Sequence, residues 1–259
     1  MGSSIYQHFR PEERPFIDQV LEWQTTVLDQ YHPKLTDFLD PREQNIIRSV
    51  IGSHSELTID MSGGINKAER QRALFLPPYV TVEPDEYKLC LFELNYPHRF
   101  ATITHRELLG SLMGLGLRRE KFGDLLFADG RIQFVAAAEI AEFIRLNLKQ
   151  IGQHTVSCEP TAWGEAIVPQ HHWQEQSGTV SSLRLDVVLA EIYNLPRGKV
   201  SQAIQQQRVK VNWRIVDKPA YMLRAGDYVS LRKVGRSHLS RVGEPTRKGR
   251  LPISYELLK

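Results

Sequence analysis

The feature that most constrains the fold is a change of apolar period between residues 185 and 211. Apolar residues with helical spacing come first, on both sides of Leu195-Pro196: Leu185, Val188, Leu189, Ile192, Val200, Ala203 and Ile204. The segment 208–213 alternates instead, so Val209 and Val211 point to one side of a strand and Lys210 to the other. Such a change within a short stretch predicts two short helices that pack on a small sheet.

The same part of the chain is strongly basic. Residues 181–259 hold 16 Lys/Arg and 6 Asp/Glu, a net charge of +10, whereas residues 1–180 carry a net charge of −7. A segment this basic attracts a polyanion, of which nucleic acid is the most common. The alternative is a basic tail that is merely solvated.

Polar and basic residues on the predicted helices and strand edges are the candidate RNA ligands. They are Arg184, Arg197, Lys199, Gln202, Arg208, Lys210, Asn212, Arg214, Arg232 and Lys233. Arg184 and Arg197 can bind phosphate bidentately, and Asn212 can contact a ribose or a base edge. Trp213 has two open interpretations, stacking on a base and packing against the core. Folded RNA would be held through its backbone and shape.

The upstream sequence predicts further α+β structure. Residues 1–80 combine two amphipathic helices with two strands around a Gly-rich turn, which predicts a small N-terminal α+β domain. Residues 81–160 have the order βαββαβ, with a hairpin at Asp129-Gly130, and predict an RRM-like split βαβ sandwich. Residues 161–180 lack periodicity and predict a linker, and residues 241–259 predict a basic C-terminal tail.

The C-terminal pattern resembles the S4 RNA-binding domain, which consists of two helices and a small twisted sheet. The matching residues are Arg184-Leu185-Asp186, Leu189, Arg197, Lys199, Ile204, Val209-Lys210-Val211-Asn212, Val216, Pro219, Gly226-Asp227 and Val229. The sequence departs from that family at Gln207 and Trp213, two turn positions where glycine is usual because it relieves backbone strain. The expected S4-like domain covers residues 181–240.

The whole chain resembles the YlmH family of bacterial S4-domain proteins. Upstream of the C-terminal module, the resemblance is carried by PKLTDFLDPREQ, SGGINKAERQRALFLPPY and THRELLGSLMGLGLRREKFGDLLFADGRIQFV. It implies a non-enzymatic translation factor that binds structured rRNA or tRNA. The implied target is a large ribosomal subunit obstructed by peptidyl-tRNA, in ribosome-associated quality control.

Basic residues upstream of the module predict a second contact with RNA or the ribosome. They are Lys67, Arg70, Arg72, Arg106, Arg118, Arg119 and Lys121. The first three follow Ser62-Gly63-Gly64, whose backbone amides suit a phosphate, although a plain strand-connecting turn fits equally well. The others flank the glycine-rich end of a helix. Base stacking on the central sheet is not expected, because the strand RIQFVAA offers only Phe134 as an aromatic.

Two alternatives from other functional classes remain. Leu183-Arg184-Leu185-Asp186 resembles the Arg-Leu-Asp motif of pseudouridine synthases, which are RNA-modifying enzymes, but it opens a helix of the RNA-binding module. None of the nine histidines, including the His171-His172 pair, lies in a recognisable catalytic constellation, so no enzyme is predicted. The second alternative is a protein-interaction adaptor that is anchored by its RNA-binding module.

Metal, cofactor and membrane partners are not expected. Cys90 and Cys158 lack neighbouring ligands at metal-binding spacing, and two cysteines do not indicate a disulfide framework. No apolar stretch approaches the roughly 18 residues that cross a bilayer, and no signal-peptide core opens the chain. The sequence therefore predicts a cytoplasmic protein.

Overall fold

The computed structural model describes residues 5–52, 56–78, 80–98, 101–128, 130–168 and 173–258. Asp129 of the predicted hairpin turn and the His171-His172 pair lie outside these residues. The chain divides into two compact units, Met1–Pro169 and Gln170–Lys259. The α-helices are α1 (Arg14–Gln30), α2 (Pro41–Ile51), α3 (His105–Gly114), α4 (Ala141–Asn147), α5 (Leu185–Ile192) and α6 (Arg197–Gln205).

The strands of the first unit are β1 (Lys34–Leu39), β2 (Thr58–Ser62), β3 (Gln71–Leu76), β4 (Leu89–Asn95), β5 (Phe122–Ala128), β6 (Arg131–Ala137), β7 (Gln150–Ile151), β8 (His154–Thr155) and β9 (Ser157–Pro160). Those of the second are β10 (Trp173–Val180), β11 (Val209–Val211), β12 (Arg214–Ile215), β13 (Asp227–Leu231), β14 (Gly235–Val242) and β15 (Leu251–Leu258). Short 3-10 helices cover Ile5–His8, Pro11–Glu13, Pro84–Tyr87, Arg119–Lys121, Ala138–Ile140 and Trp163–Glu165.

The N-terminal part of the first unit is an antiparallel sheet with strand order β1-β3-β2, covered by α1 and α2. Val20 and Ile47 from the helices pack against Phe75 of β3. Helix α2 begins as predicted, because the Asp40 carboxylate accepts a hydrogen bond from the Glu43 backbone N–H, and the Glu43 carboxylate accepts one from the Asp40 backbone N–H. The sequence prediction omits strand β1. Its pairing with β3 shifts register between Leu35 and Phe38, so its apolar and polar residues do not alternate regularly as in an ordinary strand.

The central part has the antiparallel strand order β5-β6-β4-β9, which confirms the split βαβ sandwich. Helices α3 and α4 cover one face, where Leu108 and Ile144 join the core around Phe92 and Phe134. The two phenylalanine rings stack with centroids 5.0 Å apart. The opposite face is also buried, because Phe38 of β1 and Ile167 pack on it.

The second unit is a single sheet with strand order β10-β15-β14-β13-β11-β12, and α5 and α6 pack on one face of it. The predicted helical residues point inward, and Leu185, Val188, Val200 and Ile204 are fully buried. Val209 of β11 joins the same core. The α+β class and the C-terminal S4-like fold are therefore confirmed.

The predicted linker over 161–180 and basic tail over 241–259 are corrected by the structure. Strand β10 lies in the first segment and β15 in the second, and they pair along their whole length from Trp173↔Leu258 to Val180↔Leu251. Sequence periodicity does not reveal β10, because WQEQSGTV is polar and its partner lies far away in the chain. The sheet therefore extends beyond the predicted 181–240 module on both sides.

Candidate RNA interface

The outward side of α6 carries the clearest candidate ligands. Val200, Ala203 and Ile204 turn toward the core, which leaves Lys199 and Gln202 exposed on the other side of the helix, as the helical period requires. Arg197 opens the helix, and its side chain is 55% exposed. Lys199 and Gln202, three residues apart, share one accessible helix face, whereas Arg197 points toward Asp186 of α5.

The buried carboxylate of Asp186 connects two of the candidate arginines. Arg184 donates from Nε and Nη2 to its two oxygens at 3.0 and 3.2 Å, and Arg197 Nε donates at 2.8 Å. Burial opposes the ionisation of Asp186, but the hydrogen bonds from both arginines outweigh it, and the pKa of the carboxyl is below its ordinary value. The ionised Asp186 therefore fixes the direction of both guanidinium groups.

The basic residues predicted beside β11 and its neighbours lie at the surface. Lys210, Arg214, Arg232 and Lys233 are exposed. Arg208 is half-buried, and backbone and side-chain hydrogen bonds join it to Arg232, at 2.9 and 3.4 Å. The structure therefore brings this pair together where β11 begins and β13 ends.

Asn212 is not available to RNA, and the predicted ribose or base contact is wrong. The residue is 8% exposed. Its amide group donates to Asp227 at 2.8 Å, and its carbonyl oxygen accepts from the backbone N–H of Tyr228 at 2.9 Å. Asp227 in turn accepts from the Arg224 backbone at 2.7 Å. Asn212 therefore holds the turn after β11 against β13.

Replacing Asn212 with glycine is expected to lower the free energy of unfolding by about 1 to 2 kcal/mol, because buried polar partners lose their hydrogen bonds. Glycine also suits the φ of 48° at this position, so only the side chain is tested. Chemical unfolding of the second unit measures the loss. RNA affinity at a temperature where both proteins are folded should stay unchanged, and a weaker affinity there would restore Asn212 as a ligand.

The two departures from the S4 pattern keep the glycine-like backbone. Gln207 has φ 57° and Trp213 has φ 64°. Asn212 and Trp213 form the two-residue connection between β11 and β12, and both have positive φ, as in a type I′ turn, where Asn-Gly is favoured. The turn geometry is retained even though a tryptophan occupies the glycine position.

Two residues of the predicted second contact are buried, so their assignment as ligands is wrong. Arg70 and Arg72 are 7% and 4% exposed. Arg70 donates to the carbonyl oxygens of Phe122 and Phe38, and Arg72 to those of Thr36 and Lys88. Their charges hold the N-terminal and central sheets of the first unit together.

The remaining members of that set differ in accessibility. Arg119 points inward to the carbonyl oxygens of Phe122 and Gly123, and burial lowers its pKa to about 10. Arg118 and Lys121 pair with Asp37. Lys67 and Arg106 are exposed. The structure therefore does not unite the seven residues into one basic surface.

The Ser62-Gly63-Gly64 turn is packed rather than open. A Cβ atom at Gly63 would meet Ala68 at 2.4 Å, and one at Gly64 would meet the ring of Trp163 at 2.3 Å. These glycines permit close packing, which favours the strand-connecting turn over the phosphate loop.

The central sheet does not present a base-stacking surface in the described part of the chain. Phe134 lies in the core beneath α3 and α4. On the other face, Gln133 and Val135 are fully buried. The Gln133 amide group also donates to the carbonyl oxygen of Glu165, and Gln133 accepts from the backbone of Ile167. This agrees with the expectation from sequence.

The sequence prediction omits the basic residues of the β14–β15 hairpin. Arg241, Arg247, Lys248 and Arg250 are exposed. Arg250 donates to both the hydroxyl and the carbonyl oxygen of Thr179, which ties the hairpin to β10. The charges are visible in the sequence, but the hairpin that presents them depends on long-range strand pairing.

Metal and membrane features are also absent from the residues that the structure describes. No three His, Cys, Asp or Glu side chains come together there as a metal site. Nor does any helix in that part of the chain have the length and apolarity to cross a membrane.

The helix pair on a small sheet, with an exposed basic helix face, defines an S4-type RNA-binding protein. Family models match three consecutive parts of the chain: "YlmH, N-terminal" over residues 12–80, "Putative RNA-binding domain in YlmH" over 83–165, and "S4 domain" over 183–229. The chain belongs to the YlmH family.

Two relatives support this assignment. The chain is 42% identical, over 99% of its length and 100% of the relative, to "Ribosome-associated protein quality control protein P2" of Bacillus subtilis (strain 168). The solved structure of "Cell division protein ylmH from Streptococcus pneumoniae" is similar, with a TM-score of 0.55 and 33% identity. That match covers 62% of this chain and 98% of the other.

Proposed function

We propose that this protein binds structured RNA on the large ribosomal subunit and acts in the quality control of translation. The observation that carries the proposal is the exposed side of α6, which presents Lys199 and Gln202, together with Arg197 at the start of the helix, held by Asp186. Guanidinium and ammonium groups fixed on a rigid helix suit the phosphates of folded RNA. The name of the Bacillus subtilis relative supports the ribosome as the site of action.

The finer parts of the proposal follow the family resemblance. The RNA is rRNA or tRNA, the subunit is one obstructed by peptidyl-tRNA, and the protein works in the cytoplasm without catalysis. The burial of Asp186 and its pairing with two arginines support a non-enzymatic role, since this aspartate has a structural task at the start of α5. The carboxylate oxygens of Asp186 orient Arg184 and Arg197, the two arginines proposed to bind RNA.

Sedimentation through a sucrose gradient tests ribosome binding directly. The full-length protein is expected to comigrate with large subunits at low salt and to leave them as the salt concentration rises, because phosphate contacts release counterions. Subunits that carry peptidyl-tRNA should retain more protein than empty ones. Failure to comigrate at low salt would contradict the proposal.

Replacing both Arg197 and Lys199 with alanine is expected to weaken RNA binding and to make its salt dependence shallower. Each lost phosphate contact reduces the slope of log affinity against log salt by about 0.7 to 0.9, so the double variant loses about 1.4 to 1.8. Filter binding or fluorescence anisotropy at several salt concentrations measures the slope. The control replaces Lys34 and Lys149, which are also exposed but lie in the first unit. An unchanged slope in the test variant would mean that neither residue is a phosphate ligand.

A further inference from the structure

The C-terminal sheet has an outer face, directed away from α5 and α6, which is distinct from the exposed side of α6. Along β11, β13 and β14, the residues of one face are buried in the core, including Val211, Val229 and Leu239. The alternate residues point the other way: Lys210, Tyr228, Ser230, Arg236 and His238. Strand register aligns Lys210, Ser230 and Arg236 in one row across the sheet, and Tyr228 with His238 in the next.

Aromatic rings form a continuous group on this face. Tyr228 and His238 stack with ring centroids 4.2 Å apart and an interplanar angle of 15°. The indole of Trp213 lies 5.4 Å from Tyr228, and that of Trp173 lies 6.2 Å from it. None of these four residues belongs to the core cluster of the described unit, and all of them remain partly exposed. The ring group is therefore a surface feature and not an extension of the core.

The backbone conformation of Trp213 suggests that its ring has a function. A tryptophan in the left-handed region, at φ 64°, costs conformational free energy that glycine avoids. Although tryptophan is unfavourable at this φ, it places an indole ring beside Tyr228. The Arg236 guanidinium lies 5.9 Å from the centroid of the indole. Strain of this kind, in a turn that glycine would satisfy, points to a function for the ring.

The charges around the rings indicate the partner. Lys210 and Arg236 lie on the same face, and exposed Arg214 adjoins Trp213. An acidic residue also lies beside the rings, because the Glu256 carboxylate of β15 is 2.8 Å from His238 Nδ1. Cations beside accessible rings suit nucleotides, since bases stack on the rings while phosphates contact the cations.

We propose that this outer face, defined by Lys210, Trp213, Tyr228, Arg236 and His238, binds unpaired RNA nucleotides by stacking. The inference rests on the proposed RNA-binding function and adds a second surface with a different preference. A duplex conceals the faces of its bases, whereas a loop or single strand exposes them. The α6 face would grip folded RNA through phosphates, and the outer face would select an adjacent unpaired stretch.

Trp213→Gly in the full-length protein tests the inference, because it removes the ring while suiting the left-handed backbone. The probes are a fluorescently labelled, unstructured twelve-nucleotide oligoadenylate and a blunt RNA hairpin of similar charge, titrated by anisotropy. Affinity for the single strand is expected to fall about fivefold or more, as for the loss of one base stack. Affinity for the hairpin should change less than about twofold. Trp213→Phe keeps a ring and should retain most of the single-strand affinity.

Gln207→Gly is the matched control, because it makes the same kind of exchange at the other left-handed position, where φ is 57°, without removing a ring. It should leave both affinities unchanged. If Trp213→Gly keeps full single-strand affinity while the Arg197 and Lys199 double variant loses RNA binding, the outer-face inference is wrong and the proposed function stands. An equal loss for both probes would also overturn stacking. If the wild-type protein binds neither probe, the RNA-binding proposal itself fails.

Discussion

Replacing Arg72 with alanine is expected to lower the free energy of unfolding of the first unit by about 3 to 5 kcal/mol. Its guanidinium is almost completely buried, and it donates to the carbonyl oxygens of Thr36 and Lys88 at 2.7 and 3.1 Å. It also pairs with Glu139 at 3.2 Å. Truncation to alanine leaves the buried carbonyl oxygens without a hydrogen-bond donor. The free-energy cost of these unsatisfied acceptors exceeds the net stabilisation that the hydrogen bonds provide.

Thermal and denaturant unfolding measure the loss of stability, and hydrogen exchange of the amides in the first unit shows whether the loss lies in that unit. Arg118→Ala is the matched control, because that arginine also pairs with an acid but its side chain is 72% exposed, so a change of only about 0 to 1 kcal/mol is expected. Arg72→Lys keeps the charge without the planar set of donors and should fall between the two. Equal stability of Arg72→Ala and Arg118→Ala would contradict a structural role for Arg72.

Replacing Asp186 with alanine is expected to lower the free energy of unfolding of the second unit by about 2 to 3 kcal/mol. The carboxylate accepts from Arg184 and Arg197, and it lies in the first turn of α5, where negative charge is favourable. The partial exposure of both arginines keeps the expected loss below that of a fully buried pair. The two guanidinium groups also lose their common orienting partner, so affinity for structured RNA should fall as well.

The acid dependence of stability isolates this carboxylate. Because the pKa of Asp186 is lower in the folded chain than in the unfolded chain, its contribution is fully present above the unfolded value, about 4. The contribution disappears as the pH falls through the lower folded value. Unfolding midpoints measured between pH 6 and pH 2 should converge for wild type and Asp186→Ala at the acid end. Asp217→Ala, which removes an exposed carboxylate of the same unit, should follow the wild type throughout.

Local patterns predicted the elements that short-range chemistry determines. The spacing of Leu185, Val188 and Ile192 gives the buried face of α5, and Asp40 with Pro41 gives the start of α2. The exposure of Lys199 and Gln202 follows from the same helical period. These features require only residues within one or two turns of each other.

Features that depend on distant partners were not predictable in this way. The pairing of β10 with β15 joins segments on either side of the whole S4-like module, and neither segment identifies its partner. Arg70 and Arg72 resemble surface charges until the carbonyl oxygens that receive them are known. Asn212 was assigned to RNA for the same reason, since its buried partner Asp227 comes from a different strand.

The pairing of Trp173 with Leu258 brings the beginning and the end of the second unit side by side. Because synthesis runs from the N-terminus, β10 emerges from the ribosome before the S4-like module, and β15 emerges after it. Until then β10 has no neighbour in its own sheet, because β15 is its sole pairing partner within the described chain. A chain without β15 would leave the β10 edge open to other chains and would also remove Ile253 and Tyr255 from the core of the second unit.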